Sequence, residues 1–135
     1  MERPKILMID DDPLFLSLTE MTLKDSPRLG DINGIADVED AKSFLDSCKS
    51  GENPFPDAIF VDMNMPGMNG MDFVELYRRE YAKLFPQTKL VMLTSSISRK
   101  EKIRALEFPE ISDFMEKPLT EDKLNHLLNP SLKKE

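Results

Sequence analysis

The chain has a single cysteine and a single histidine in 135 residues. Lone Cys48 excludes an internal disulfide, and its helical spacing from other apolar residues marks it as a core side chain. His126 has no second histidine to share a metal and reads as a surface or packing residue. Basic side chains are outnumbered 18 to 25, for a net charge of −7. That balance argues against a nucleic-acid partner, because phosphate backbones need a basic surface. No long apolar run exists either. Arg3 and Lys5 precede a short one, but the aspartates at 10–12 end it too early for a signal peptide or a membrane span. These absences point to the cytoplasm and to one hydrophobic core, which at this length buries roughly two-thirds of the unfolded surface. Without repeats, low-complexity segments or linkers, residues 1–135 are expected to form one domain. Its core runs from about 5 to 128, and a short charged tail follows Pro130.

What the chain does contain is a series of short apolar runs that end in polar groups. The central one is Ala58-Ile59-Phe60-Val61, which stops at Asp62 and is followed by Met63-Asn64-Met65-Pro66-Gly67-Met68-Asn69-Gly70. Four uninterrupted apolar residues suit a buried strand. Pro-Gly and Asn-Gly then mark a loop. Lys5–Ile9 is a second such run and meets Asp10-Asp11-Asp12. Leu90–Leu93 is a third and meets Thr94. Ile111–Met115 reads as a last short strand before Lys117-Pro118, and glycine-containing Ile32–Ala36 as the weakest strand.

Helical patterns separate these strands. Asp12-Pro13 reads as an N-cap with proline at the first helical position, which makes Asp12 a cap and not a third ligand. Leu14, Leu18 and Met21 then fall on one helix face. Ala41, Phe44, Leu45 and Cys48 define a helix over Val38–Ser50, and Phe73, Tyr77, Tyr81 and Leu84 trace the next. Ser98 and Glu101 have capping-box form ahead of a short helix carrying Ile103 and Leu106, and Thr120 caps a last helix to Leu128. Five strands alternating with five helices predict an α/β fold, a doubly wound parallel sheet with helices on both faces.

In such a sheet Asp10, Asp11, Asp62, Thr94 and Lys117 converge at the carboxyl edge, where open α/β sheets place their ligands. Clustered carboxylates repel one another unless a cation intervenes. A hard divalent ion, Mg²⁺ or Mn²⁺, fits an oxygen donor set and leaves coordination sites for a phosphate oxygen. Lysine adds a compact positive charge and threonine a hydroxyl donor. A phosphoryl group would then have a cationic seat beside a carboxylate nucleophile.

The four motifs, in this order, resemble the receiver domains of two-component response regulators, over about Lys5 to Leu128. The resemblance implies a flavodoxin-like sheet of order 2-1-3-4-5 and Asp62 as phosphoacceptor. It implies metal held by Asp11, Asp62 and the backbone carbonyl of Asn64, with Asp10 mostly through water. It implies a Lys117-Pro118 bond that is usually cis, and a switch in which Thr94 turns toward the phosphoryl group while Phe114 rotates inward behind it. The donor would be a sensor histidine kinase or a histidine phosphotransfer protein. Because no output domain fits in 135 residues, a stand-alone signalling module acting on a downstream protein is expected, with no membrane or nucleic-acid partner. A haloacid-dehalogenase-like phosphohydrolase is the enzyme alternative, but it would carry an aspartate where Asn64 stands. A binding-only pseudo-receiver is disfavoured by the intact acidic pair, acceptor, threonine and lysine.

Overall fold

The computed structural model describes residues 4–26, 30–63, 65, 70–95 and 99–128. Its elements alternate from β1 (Ile6–Ile9) through α1 (Pro13–Leu23), β2 (Ile32–Ile35), α2 (Val38–Lys49) and β3 (Ala58–Asp62). They continue with α3 (Gly70–Glu80), β4 (Lys89–Thr94), α4 (Arg99–Leu106), β5 (Ile111–Glu116) and α5 (Glu121–Leu128). The strands form one parallel sheet of order β2-β1-β3-β4-β5. The reversal of winding falls between β1 and β3, so Asp10 and Asp62 end neighbouring strands at the switch point.

Alternation along each strand divides the core in two. Leu7, Ile9, Ile59, Val61, Leu90 and Met92 face α2, α3 and α4, where they meet Leu45, Phe73, Tyr77 and Ala105. Ile6, Met8, Phe60, Val91 and Leu93 face α1 and α5 and meet Leu16, Leu23 and Leu124. β1 and β3 are buried along their whole length, which is why they read as unbroken apolar runs. Each fully buried side chain of this kind contributes about 1.5–3 kcal/mol. Among the described residues no helix is long and apolar enough to cross a membrane.

β2 is the least apolar strand and the glycine within it has a packing role. A Cβ on Gly34 would lie 3.3 Å from Leu16 of α1, so its absence lets that helix close onto the sheet edge. Side-chain caps open three helices, two of them, Asp12 and Thr120, expected from sequence. Leu14 N donates to Asp12 Oδ1 at 3.0 Å, Asp40 N to Asp37 Oδ1 at 2.8 Å, and Lys123 N to Thr120 Oγ1 at 3.2 Å. The capping pair expected at Ser98 and the Glu101 side chain lies outside the described residues, as does the tail after Pro130.

One helix face and one helix end differ from the expectation. Leu14, Leu18 and Met21 are exposed, and Leu16, Thr19 and Leu23 are the buried residues of α1. This helix carries apolar residues on several sides, so two stripes satisfy the same periodicity and the position of β2 decides between them. In α4 Ile103 and Leu106 are exposed and Ala105 is the buried contact. α3 ends at Glu80, before Tyr81, and Leu84 is exposed in the following turn. Tyr81 is buried and its hydroxyl donates to Asp46 Oδ1 at 2.6 Å. That bond, with Lys42 second, holds the Asp46 carboxyl below its usual range, while burial pushes the Tyr81 phenol up. Cys48 is buried and His126 exposed, as their sequence positions suggested.

Candidate functional site

Backbone bonds between strand ends frame the site before any side chain enters it. Asp10 N donates to Ile35 O at 3.1 Å, Met63 N to Leu93 O at 2.8 Å, and Lys117 N to Thr94 O at 2.7 Å. Each of these bonds ties one site residue, or the residue after it, to the adjacent strand. The carboxyl edge of the sheet is therefore a rigid rim, the kind of support a pre-organised site requires. The Lys117-Pro118 peptide is cis.

On that rim Asp10, Asp11 and Asp62 each present a carboxylate oxygen, and the three oxygens lie within 4.8 Å of one another. Asp10 is 2% exposed and Asp62 7%, whereas Asp11 stands at the open side of the site. Lys117 Nζ approaches Asp10 Oδ2 to 2.6 Å and Asp62 Oδ1 to 3.6 Å. The other Asp10 oxygen, Oδ1, accepts from Asp12 N at 2.9 Å. Asp10 Oδ2 is shielded from solvent and makes no well-directed hydrogen bond among the described residues, the lysine charge being its neighbour. Among the described residues one ammonium, paired with two of the three carboxylates, leaves two negative charges to be balanced. Three close oxygen donors of this kind fit a hard divalent ion.

Thr94 ends β4 beside them and is 2% exposed. Its β5 neighbour is Glu116, and Phe114 pairs with Met92 one step back on the same face. Phe114 is 3% exposed and packs in the cluster with Ala105. The ring is thus inside already, and a switch that uses it would be a rearrangement within the core and not a movement in from solvent. Met63 and Met65 are buried and Met71 packs against the same cluster, so these described methionines of the loop are part of the core. The metal contact expected from the Asn64 carbonyl falls outside the described residues, as do Met68 and the Pro66-Gly67 turn.

Two participants were not singled out from sequence. Phe15, in the first turn of α1, lies with its ring 4.4 Å from Lys117 Nζ. Gly70, read only as a turn residue, starts α3 directly against the Asp62 carbonyl. An aromatic three positions after the Asp12 cap was the available sign for Phe15. The approach of Gly70 depends on how a helix crosses a strand end, which local pattern does not encode.

Comparison with known proteins points to one family. The family model for the response regulator receiver domain matches residues 6–129. Response regulator protein PilR of Pseudomonas aeruginosa is 30% identical over 133 residues, which is 98% of this chain and 27% of that protein. Transcriptional regulatory protein MctR of Rhizobium johnstonii is 35% identical over 101 residues, 73% of this chain and 42% of that one. The chain therefore spans less than half the length of these relatives. A two-component response regulator from Cytophaga hutchinsonii superposes with a TM-score of 0.87 at 25% identity, covering 98% of this chain and all of that structure.

Proposed function

The chain belongs to the response regulator receiver domain family, whose members accept a phosphoryl group on aspartate in two-component signalling, and on that premise we propose that Asp62 is the acceptor. The observation that carries the reading is the meeting of Asp62 with Asp10, Asp11, Thr94 and Lys117 on one rim. An Asp62 carboxylate oxygen attacks the phosphorus of a phosphohistidine. The phosphorus–nitrogen bond breaks, and its electron pair leaves with the imidazole. Lys117 offsets charge on the incoming phosphoryl oxygens, and Thr94 supplies a hydroxyl donor. Asp10, Asp11 and Asp62 are the side chains that would hold Mg²⁺ (or Mn²⁺), which supplies further charge neutralisation in such transfer. Self-catalysed phosphorylation and dephosphorylation is the only chemistry this reading requires, within one domain spanning 1–135 with its core at about 5–128.

The exposed stripe of Leu14, Leu18 and Met21 on α1 starts two residues beyond the Asp12 cap, beside the site. An apolar stripe at this spacing suits the apolar face of a partner helix. We assign it to the phosphohistidine-bearing segment of a sensor histidine kinase or histidine phosphotransfer protein. Exposed Ile103 and Leu106 on α4 suit a downstream protein, with no nucleic acid or membrane engaged by this acidic chain.

Incubation with a small acyl phosphate and Mg²⁺ is expected to add one phosphoryl mass, and chelation of the metal to prevent it. Mg²⁺ at ten times its Kd should stabilise the fold by about 1.4 kcal/mol, a rise in Tm of roughly 5 °C. Asp11→Ala should lose that rise and gain stability without metal, since it relieves carboxylate repulsion. An unchanged Mg²⁺ response in Asp11→Ala would place the ion elsewhere. Labelling that is indifferent to chelation would remove the metal from the reading.

The switch has its own test. Thr94→Ala is expected to accept phosphate still, while the NMR shift changes caused by beryllofluoride shrink from residues 99–125 to the rim. Equal spread in wild type and variant would exclude Thr94 as the coupling residue.

A further inference from the structure

We propose that Phe15 is a positioning residue for Lys117, holding its ammonium over the carboxylates by a cation–π contact. This inference rests on the reading that Lys117 offsets charge on a phosphoryl group at Asp62. The lysine stem is flexible and 18% exposed, so something must locate its charged end. Asp10 alone would draw it away from the acceptor: the ammonium is 2.6 Å from Asp10 Oδ2 but 3.6 Å from Asp62 Oδ1. The ring, 4.4 Å from Nζ, is the third contact. A ring face attracts a cation without a directed hydrogen bond. The ammonium can therefore shift from Asp10 toward a new phosphoryl oxygen while staying against the ring.

The ring is itself well anchored. Asp12 caps α1 and Pro13 fixes its first turn, and Asp12 N is tied back to Asp10 Oδ1. Phe15 then packs partly buried against the cluster that contains Leu16 and Leu124. The same short turn therefore places one carboxylate neighbour of the lysine and its aromatic neighbour together. An aliphatic side chain at position 15 would preserve most of the packing and lose the quadrupole.

The variants Phe15→Leu and Phe15→Tyr separate the two roles. In the unphosphorylated protein, the Lys117 ε-methylene protons should be shifted upfield by the ring. That shift should vanish in Phe15→Leu and persist in Phe15→Tyr. Acyl-phosphate labelling should slow by about two- to fivefold in Phe15→Leu, the range of a modest cation–π contact, and recover in Phe15→Tyr. In a Lys117→Ala background, Phe15→Leu should slow labelling no further. The inference is overturned if the methylene shift is absent in wild type or if Phe15→Tyr labels as slowly as Phe15→Leu. It is equally overturned if Phe15→Leu still slows labelling without the lysine. The NMR arm needs no phosphorylation, so absence of label at Asp62 in wild type would refute the acceptor reading separately.

Discussion

Replacing Asp62 with asparagine is expected to reduce acyl-phosphate labelling from one phosphoryl mass per chain to none. The carboxamide keeps the size of the side chain at the end of β3 but is a poor nucleophile, so the fold survives while the bond to phosphorus cannot form. A second consequence follows from the charges. Asp62 is one of three carboxylates whose oxygens lie within 4.8 Å of one another, and like charges at this distance destabilise each other. Asp62→Asn should therefore melt no lower than wild type without Mg²⁺ and should show a smaller gain with it. Intact-mass spectrometry, peptide mapping and thermal melts read all three quantities. Phosphoryl mass persisting in Asp62→Asn, or mapping to Asp10 or Asp11 in wild type, would remove Asp62 from the acceptor role. A collapse of Tm in the metal-free variant would instead show that Asp62 is needed for folding, and that the cluster is not under repulsive strain.

The rim was legible because its chemistry coincides with its punctuation. Asp10, Asp62 and Thr94 are the first polar residues after all-apolar runs, and a parallel sheet necessarily brings the carboxyl ends of its strands to one edge. Lys117 follows the last strand by the same logic, with its N–H bonded to Thr94 O. The helix faces were less legible for a physical reason. In α1 the residues Leu14, Leu18 and Met21 keep the period of a buried stripe as well as Leu16, Thr19 and Leu23 do. Period alone does not say which stripe meets the sheet, and Gly34 on β2, which admits Leu16, settles it. In α4 the small Ala105 is the buried contact, a residue that periodicity weighted toward large side chains passes over. The contacts of Phe15 and Gly70 lie further still from sequence: Phe15 at the start of α1 meets a lysine that follows β5, and Gly70 depends on how α3 starts against the end of β3.

Gly70 is where that placement is most exacting, and Gly70→Ala is expected to destabilise the protein by about 1–3 kcal/mol, the cost typical of overpacking. The sign is informative. Glycine to alanine in an unstrained helix normally stabilises, by about 0.4–1 kcal/mol. Here a Cβ would lie 2.6 Å from Met92 Cε, 2.7 Å from Asp62 O and 3.0 Å from Met63 Cα. The methionine end can swing aside, but the two backbone atoms belong to the end of β3. Met63 is held there by its bond to Leu93 O at 2.8 Å, and Gly70 N donates to Met63 O at 3.0 Å. Relief therefore requires α3 to move off the strand end, although Phe73, Val74 and Tyr77 pin it to the core. Tm should fall by roughly 5–10 °C. Labelling at Asp62 should slow more than about tenfold, since small misplacements of reacting groups cost heavily. Adding Met92→Leu removes only the thioether conflict and should recover little of either loss. A Gly70→Ala protein as stable as wild type would show that the helix start has room to spare. Full recovery in the double variant would locate the conflict in the methionine and leave the Asp62 backbone out of it.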